Sequence, residues 1–255
     1  MKKIAASWNF HDIDFILMAT SDMDNATYAK KHINLYTGEI PPLLKKHLDL
    51  FPWQRLVDAG CGDGAVLYAL RDKGYLKGRE VFAFDSSSDR VAIASKIDGR
   101  IRCFTDDACA IKNIAPDSVD FIITGQVIEH VDSDDRMIRE LKAILRKGGI
   151  LYLSTVFKKW YGWYFYRNMG RWTLDPTHVR EYRNDAELLE IMRRYGLEVL
   201  ESRKSPIRFP LMHRFLRCIN APRHIAAKEW AAYLRWLSVP VPGYFLWELV
   251  CKKTD

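Results

Sequence analysis

Three groups of residues in this 255-residue chain have the types and spacing that chemistry requires. The first is Val57-Asp58-Ala59-Gly60-Cys61-Gly62-Asp63-Gly64. Its glycines allow a tight turn and close approach of a ligand to the backbone, where the next helix offers free N–H groups. Asp85, with Ser86 beside it, follows about twenty residues on, where a carboxylate can accept from both hydroxyls of a ribose. The pattern alone is ambiguous. Gly60, Gly62 and Ala65 also satisfy the GxGxxA dinucleotide spacing, and a purely structural glycine turn reads the same way. Asp58 narrows the choice, because a carboxylate two positions before the first glycine repels a pyrophosphate and suits a cationic ligand. The second group is Asp106-Asp107-Ala108, followed by Gln126 and Glu129-His130. The third is His178 in Asp175-Pro176-Thr177-His178-Val179-Arg180-Glu181-Tyr182. His130 and His178 are candidate bases. Glu129 reads as a brace, and a structural role for His130 is the competing reading. No His, Cys or Asp cluster has metal-ligand spacing, so no metal is expected.

These groups must be positioned by alternating strands and helices. Short β-rich runs at 54–58, 80–85, 100–104, 118–124, 150–156, 197–202 and 244–250 are separated by helical patterns, which predicts a parallel α/β sheet. Helices are predicted over 65–73 and 88–97, from Ser133 to Gly148-Gly149, and over 185–195 behind a capping box of Asn184 and Glu187. The run Ser118–Thr124 is nearly continuous in apolar residues, as for a strand buried on both faces. The expected division is a single domain over 1–255. Residues 1–52 form an N-terminal helical segment, 53–156 the cofactor core, 157–183 and 204–243 acceptor-side insertions, and 184–203 with 244–255 the rest of the sheet.

With these motifs in order, residues 50–203 resemble the class I S-adenosylmethionine-dependent methyltransferases, in the subgroup with an EH motif after the fourth strand. The matching segments are VDAGCGDG, FDSS, DDA, DSVDFIITGQVIEHV and ELKAILRKGGILYLST. The resemblance implies a Rossmann-like sheet of seven mostly parallel strands, helices on both faces and an inserted cap. The last strand would run antiparallel between the fifth and the sixth. It also implies S-adenosylmethionine as cofactor. Gly60, Cys61, Gly62 and Gly64 would lie against the methionine part, and Asp58 would orient that loop or the amino group. Asp85 with Ser86 would bind the ribose. Asp107 would accept from the adenine amine beside the Ala108 backbone, with Asp106 as a rival, and Gln126 would line the site next to the reactive methyl.

The acceptor is less legible. The chain lacks the Asp/Asn-Pro-Pro-aromatic grip of enzymes acting on nucleobase amines, the Pro-Cys of cytosine C5 enzymes and a paired-glutamate loop. Residues 1–155 carry 21 Lys+Arg against 22 Asp+Glu, whereas 156–255 carry 18 against 10. Six of the eight tryptophans also lie beyond residue 155. A basic, aromatic half fits a small or lipid-linked, anionic acceptor, with peripheral membrane contact as a further option and RNA as a less favoured one. The Trp160–Tyr166 run would be an apolar wall for that acceptor or a packed insertion. A non-catalytic cofactor-binding subunit and a dehydrogenase remain the other classes. Five irregularly spaced cysteines read as reduced thiols, and the early polar residues interrupt any signal sequence, so a cytoplasmic protein is expected.

Overall fold

A computed structural model describes residues 35–168, 170–212, 216, 221–228, 230 and 237–255. The expected N-terminal helices fall partly outside these residues, and within them the segment supplies helix α1 (Pro42–Leu50). The core alternates β1 (Arg55–Ala59), α2 (Ala65–Asp72), β2 (Glu80–Asp85), α3 (Ser88–Ala94), β3 (Ile101–Thr105) and β4 (Val119–Gly125). It continues with α4 (Asp134–Ile144), β5 (Leu145–Lys158), the short strands β6 (Tyr166–Asn168) and β7 (Arg171–Thr173), α5 (Asp185–Arg194), β8 (Leu197–Pro210) and β9 (Ser238–Lys253).

Seven strands form one sheet in the order β3-β2-β1-β4-β5-β9-β8, and β6 pairs with β7 separately. The pairs from β3 to β5 are parallel, and β9 runs antiparallel between β5 and β8. The architecture is therefore the Rossmann-like α/β sheet expected. Strand order reverses beside β1, which opens a crevice at the carboxyl ends of β1 and β4, where such sheets bind ligands. Apolar side chains seal both faces. Val57, Ile122 and Leu151 pack on the α4–α5 side, and Leu56, Phe121 and Tyr152 on the side of α1 and α2.

Local chemistry sets the helix starts. Ser87, Ser133 and Asn184 each cap a helix by accepting a backbone N–H, from Arg90, Arg136 and Ala186 respectively. Several boundaries differ from the sequence reading. Helix α4 stops at Ile144, not at the glycine pair, because Leu145 already pairs with Val119 and Arg146 turns to Asp120. Strands β8 and β9 continue as a hairpin through 204–210 and 238–243, inside the segment expected as an insertion. Pro206 and Pro210 are tolerated there because β8 is the sheet edge. No helix among the described residues is long and apolar enough to cross a membrane.

Candidate active site

The loop after β1 is built by backbone bonds to the end of β2. Gly60 and Cys61 donate their N–H groups to the Phe84 carbonyl at 2.8 and 2.9 Å, and Gly62 donates to Asp85 Oδ2 at 2.9 Å. Gly60 has a φ of +74°, and a Cβ there would lie 2.4 Å from Val127 Cγ2. Only glycine lets the loop lie against the turn after β4. Gln126 in that turn has a φ of 58°, a strained backbone of the kind that clusters at functional sites.

These loops enclose a cavity of about 870 Å³ at the crevice. Of the residues singled out from the sequence, Asp58, Gly60, Cys61, Gly62, Asp85, Ser86, Asp107, Ala108, Gln126, His130 and His178 all line it. Gly64 does not, and instead stands in left-handed conformation as the N-cap of α2. The rival carboxylates separate by use. Asp106 Oδ2 already accepts from the Lys112 and Asn113 backbones and the Asn113 amide, whereas among the described residues Asp107 accepts only from Cys109 N–H, through Oδ1. A second hollow of about 660 Å³ beside α5 and β8 is lined by none of these groups.

The described aromatic residues of the Trp160–Tyr166 run do not line the cavity. Trp160 is 90% exposed and Trp163 42%, so these rings lie on the outer surface, and the apolar wall, one of the two readings of the run, is not formed at this cavity. The first insertion reaches the cavity through Leu174, Asp175, Thr177 and His178. Arg223, from the second, touches the glycine loop through Asp63 at 2.7 Å.

Electrostatics differentiate the buried groups. Burial, with the charge of Asp85 beside it, pushes Asp58 up to about 7. Burial also raises Glu129, which accepts from Thr155 Oγ1 at 2.9 Å and leaves Oε1 without a hydrogen-bond partner among the described residues. Burial and the nearby His178 lower His130 to about 4, so its ring is neutral at physiological pH. His178 is the opposite case. Burial alone would depress it, but its hydrogen bond to Glu181 at 3.0 Å and the charges of Glu129, Asp175 and Glu181 leave it raised.

Glu181 also accepts from Leu174 N–H at 2.7 Å and lies 3.3 Å from Lys158 Nζ. The fold thus brings Glu129, His130 and His178 together, with one ligating atom of each within 4.8 Å of the others. Their separation in sequence hid this cluster. His178 binds a proton more readily than a free imidazole does, and a metal would compete with that proton.

A methyltransferase-domain family profile matches residues 27–202. The chain belongs to the methyltransferase-domain family. It is 31% identical over 200 residues to "Probable S-adenosylmethionine-dependent methyltransferase CRG1" of Saccharomyces cerevisiae, a match covering 70% of this chain and 63% of that one. A "Ubiquinone biosynthesis O-methyltransferase" of Xanthomonas campestris pv. campestris is 29% identical over 113 residues, covering 41% and 44%. The chain thus spans 63% of the first relative and less than half of the second. The cyclase SpnF superposes with a TM-score of 0.57 at 23% identity, covering 88% of both chains. The YcgJ protein of Bacillus subtilis gives 0.55 at 15% identity, covering 83% and 97%. These two likenesses speak to fold alone.

The methyltransferase cavity fits S-adenosylmethionine on its own chemistry. Asp58 Oδ2 is buried without a hydrogen-bond partner among the described residues. A carboxylate so placed is stabilised by a ligand bearing an ammonium and a sulfonium, and would repel a pyrophosphate. Sequence reasoning missed Asp175, Thr177 and Glu181, although all lie in the segment that contains His178. Their partners are distant in sequence or set by the turn, and a run of polar loop residues carries no mark of either.

Proposed function

We propose that this methyltransferase domain, in the EH subgroup through Glu129-His130, transfers a methyl group from S-adenosylmethionine to an oxygen of a small or lipid-linked acceptor. The observation that carries this reading is His130 lining the same cavity as Asp58 and Asp85. Asp58 holds the cationic end of the cofactor, Asp85 the ribose hydroxyls, and Asp107 the adenine amine. When bound, S-adenosylmethionine supplies a methyl carbon on a sulfonium, and the C–S bonding pair stays on sulfur as the acceptor oxygen takes that carbon.

Alignment of the acceptor is the main catalytic effect, worth about 7–11 kcal/mol in well-oriented systems. His130 is the proton acceptor. His178, held by Glu181 and raised by that bond, fixes the rim. The ubiquinone-biosynthesis relative supports an oxygen nucleophile and a lipid-linked acceptor. The basic half of the chain favours an anionic one, and its exposed tryptophans offer a surface for peripheral membrane contact. Free cysteines at 61, 103, 109 and 251 fit a cytoplasmic setting. No metal enters this reading.

Replacing His130 with Ala tests it. Turnover should fall by roughly 10²–10⁴-fold, the usual worth of a general base, with calorimetric affinity for S-adenosylmethionine unchanged. Unchanged turnover would remove His130 from the chemistry. Tighter binding of NAD than of S-adenosylmethionine by the wild type would overturn the methyl-transfer reading itself.

A further inference from the structure

The loop after β7 contacts His130 through a short polar chain. Asp175 Oδ1 accepts the Thr177 backbone N–H at 2.8 Å and the Thr177 hydroxyl at 2.6 Å. A carboxylate can only accept, and a threonine hydroxyl has one proton. With that proton directed to Asp175, Thr177 Oγ1 presents only lone pairs to His130 Nδ1, which lies 3.0 Å away. A second lone pair on Nδ1 would be repelled there. The proton of the neutral ring therefore sits on Nδ1. The other nitrogen, Nε2, takes no side-chain hydrogen bond among the described residues, the Thr177 backbone also lies within hydrogen-bonding reach of the ring, and the residue lines the cavity.

We infer that Thr177 and Asp175 are positioning residues that hold His130 as its Nδ1–H tautomer, so that Nε2 offers a lone pair to an acceptor hydroxyl. The inference rests on the proposed methyl transfer and deepens it, because it defines the acceptor class. An atom that carries a proton can be served by Nε2, whereas a proton-free nucleophile gains nothing from it. Nε2 takes the proton that the hydroxyl loses as its oxygen bonds to carbon, and then passes it to water. The groups around the ring are consistent with this direction of transfer. Asp175 and the Thr177 backbone stabilise the positive ring once formed, and His178 and Arg90 oppose it.

The test is a long-range proton–nitrogen correlation spectrum of isotope-labelled full-length protein at neutral pH, without acceptor. His130 is assigned by its loss in His130→Gln. Wild type should show Nδ1 protonated and Nε2 bare, and Thr177→Ser should keep that pattern. Thr177→Val should lose the single tautomer while binding S-adenosylmethionine as wild type does. Asp175→Ala provides a second route if Thr177→Val does not fold. It removes the oxygen that accepts from the Thr177 hydroxyl, freeing that proton for Nδ1 and moving the ring to Nε2–H. An Nε2–H ring in the wild type overturns the inference, as does a pattern insensitive to Asp175→Ala. Failure of the wild type to bind S-adenosylmethionine would instead defeat the methyl-transfer reading and leave the tautomer result standing.

Discussion

At the scale of single residues, Asp58 carries the most consequence. Its carboxyl is pushed up to about 7 by burial and by Asp85, so the ligand-free protein is partly protonated there at neutral pH. A cationic cofactor binds the ionised form, and binding therefore releases a proton below that value. Affinity for S-adenosylmethionine should weaken about tenfold between pH 8 and pH 6, measured by calorimetry, and the Asp58→Asn protein should lose this dependence along with most of its affinity. The sign for stability is opposite to that of an ordinary paired carboxylate. A raised value means the folded state binds the proton more tightly, so stability falls as pH rises from the usual aspartate range through about 7. Asp58→Asn should thus raise the melting temperature of the ligand-free protein at pH 8. A flat pH profile, or no gain in melting temperature, would contradict the role given to Asp58. This residue was legible in the sequence because it is adjacent to its glycine loop, where local spacing implies local geometry. Thr177 was not, since its partner His130 is 47 positions away and only the docking of the loop joins them.

At the scale of elements, the loop between β7 and α5 is fixed to the turn after β4 as a unit. Arg180 Nη1 donates to the Ile128 and Val131 carbonyls, each at 2.6 Å, and the Val179 N–H donates to the Glu129 carbonyl at 2.9 Å. Beneath them the buried Glu181 joins His178, Lys158 and the Tyr244 hydroxyl. Breaking such a buried group by removing one partner costs about 3–5 kcal/mol, and Glu181→Ala should unfold at correspondingly lower denaturant. Glu181 is lowered, with its bond to His178 and the Leu174 N–H outweighing burial, so its contribution is lost as pH falls through its depressed value. His178 is raised, so its contribution is lost as pH rises through its elevated one. The deficit of Glu181→Ala should therefore be greatest between the ordinary carboxylate and imidazole values, roughly pH 4.3 to 6.5. A deficit that grew steadily above that window would contradict a charged pair. Element types were legible because apolar periodicity and the caps at Ser133 and Asn184 act locally. The end of α4 was not, because pairing of Leu145 with Val119 across the sheet decided it.

At the scale of the molecule, residues 1–155 are nearly neutral and contain the glycine loop, whereas residues 156–255 are basic and aromatic. The alternation of parallel strands and helices followed from the sequence pattern, whereas the antiparallel β9 followed from the family resemblance that the ordered motifs carry. The placement of the tryptophans did not follow. An aromatic run has the same composition whether it lines a pocket or an outer surface, and here Trp160 and Trp163 are exposed while Leu174 and Thr177 reach the cavity. The β7–α5 loop, and not the aromatic run, therefore supplies the lining of the cavity from this segment. The most direct measurement is to incubate the protein with methyl-tritiated S-adenosylmethionine and cell extract separated into lipid, small-molecule, RNA and protein fractions. The account predicts label in the lipid or small-molecule fraction, as an ether stable to mild alkali and abolished in His130→Ala. Label confined to RNA or protein, or label undiminished in His130→Ala, would contradict it.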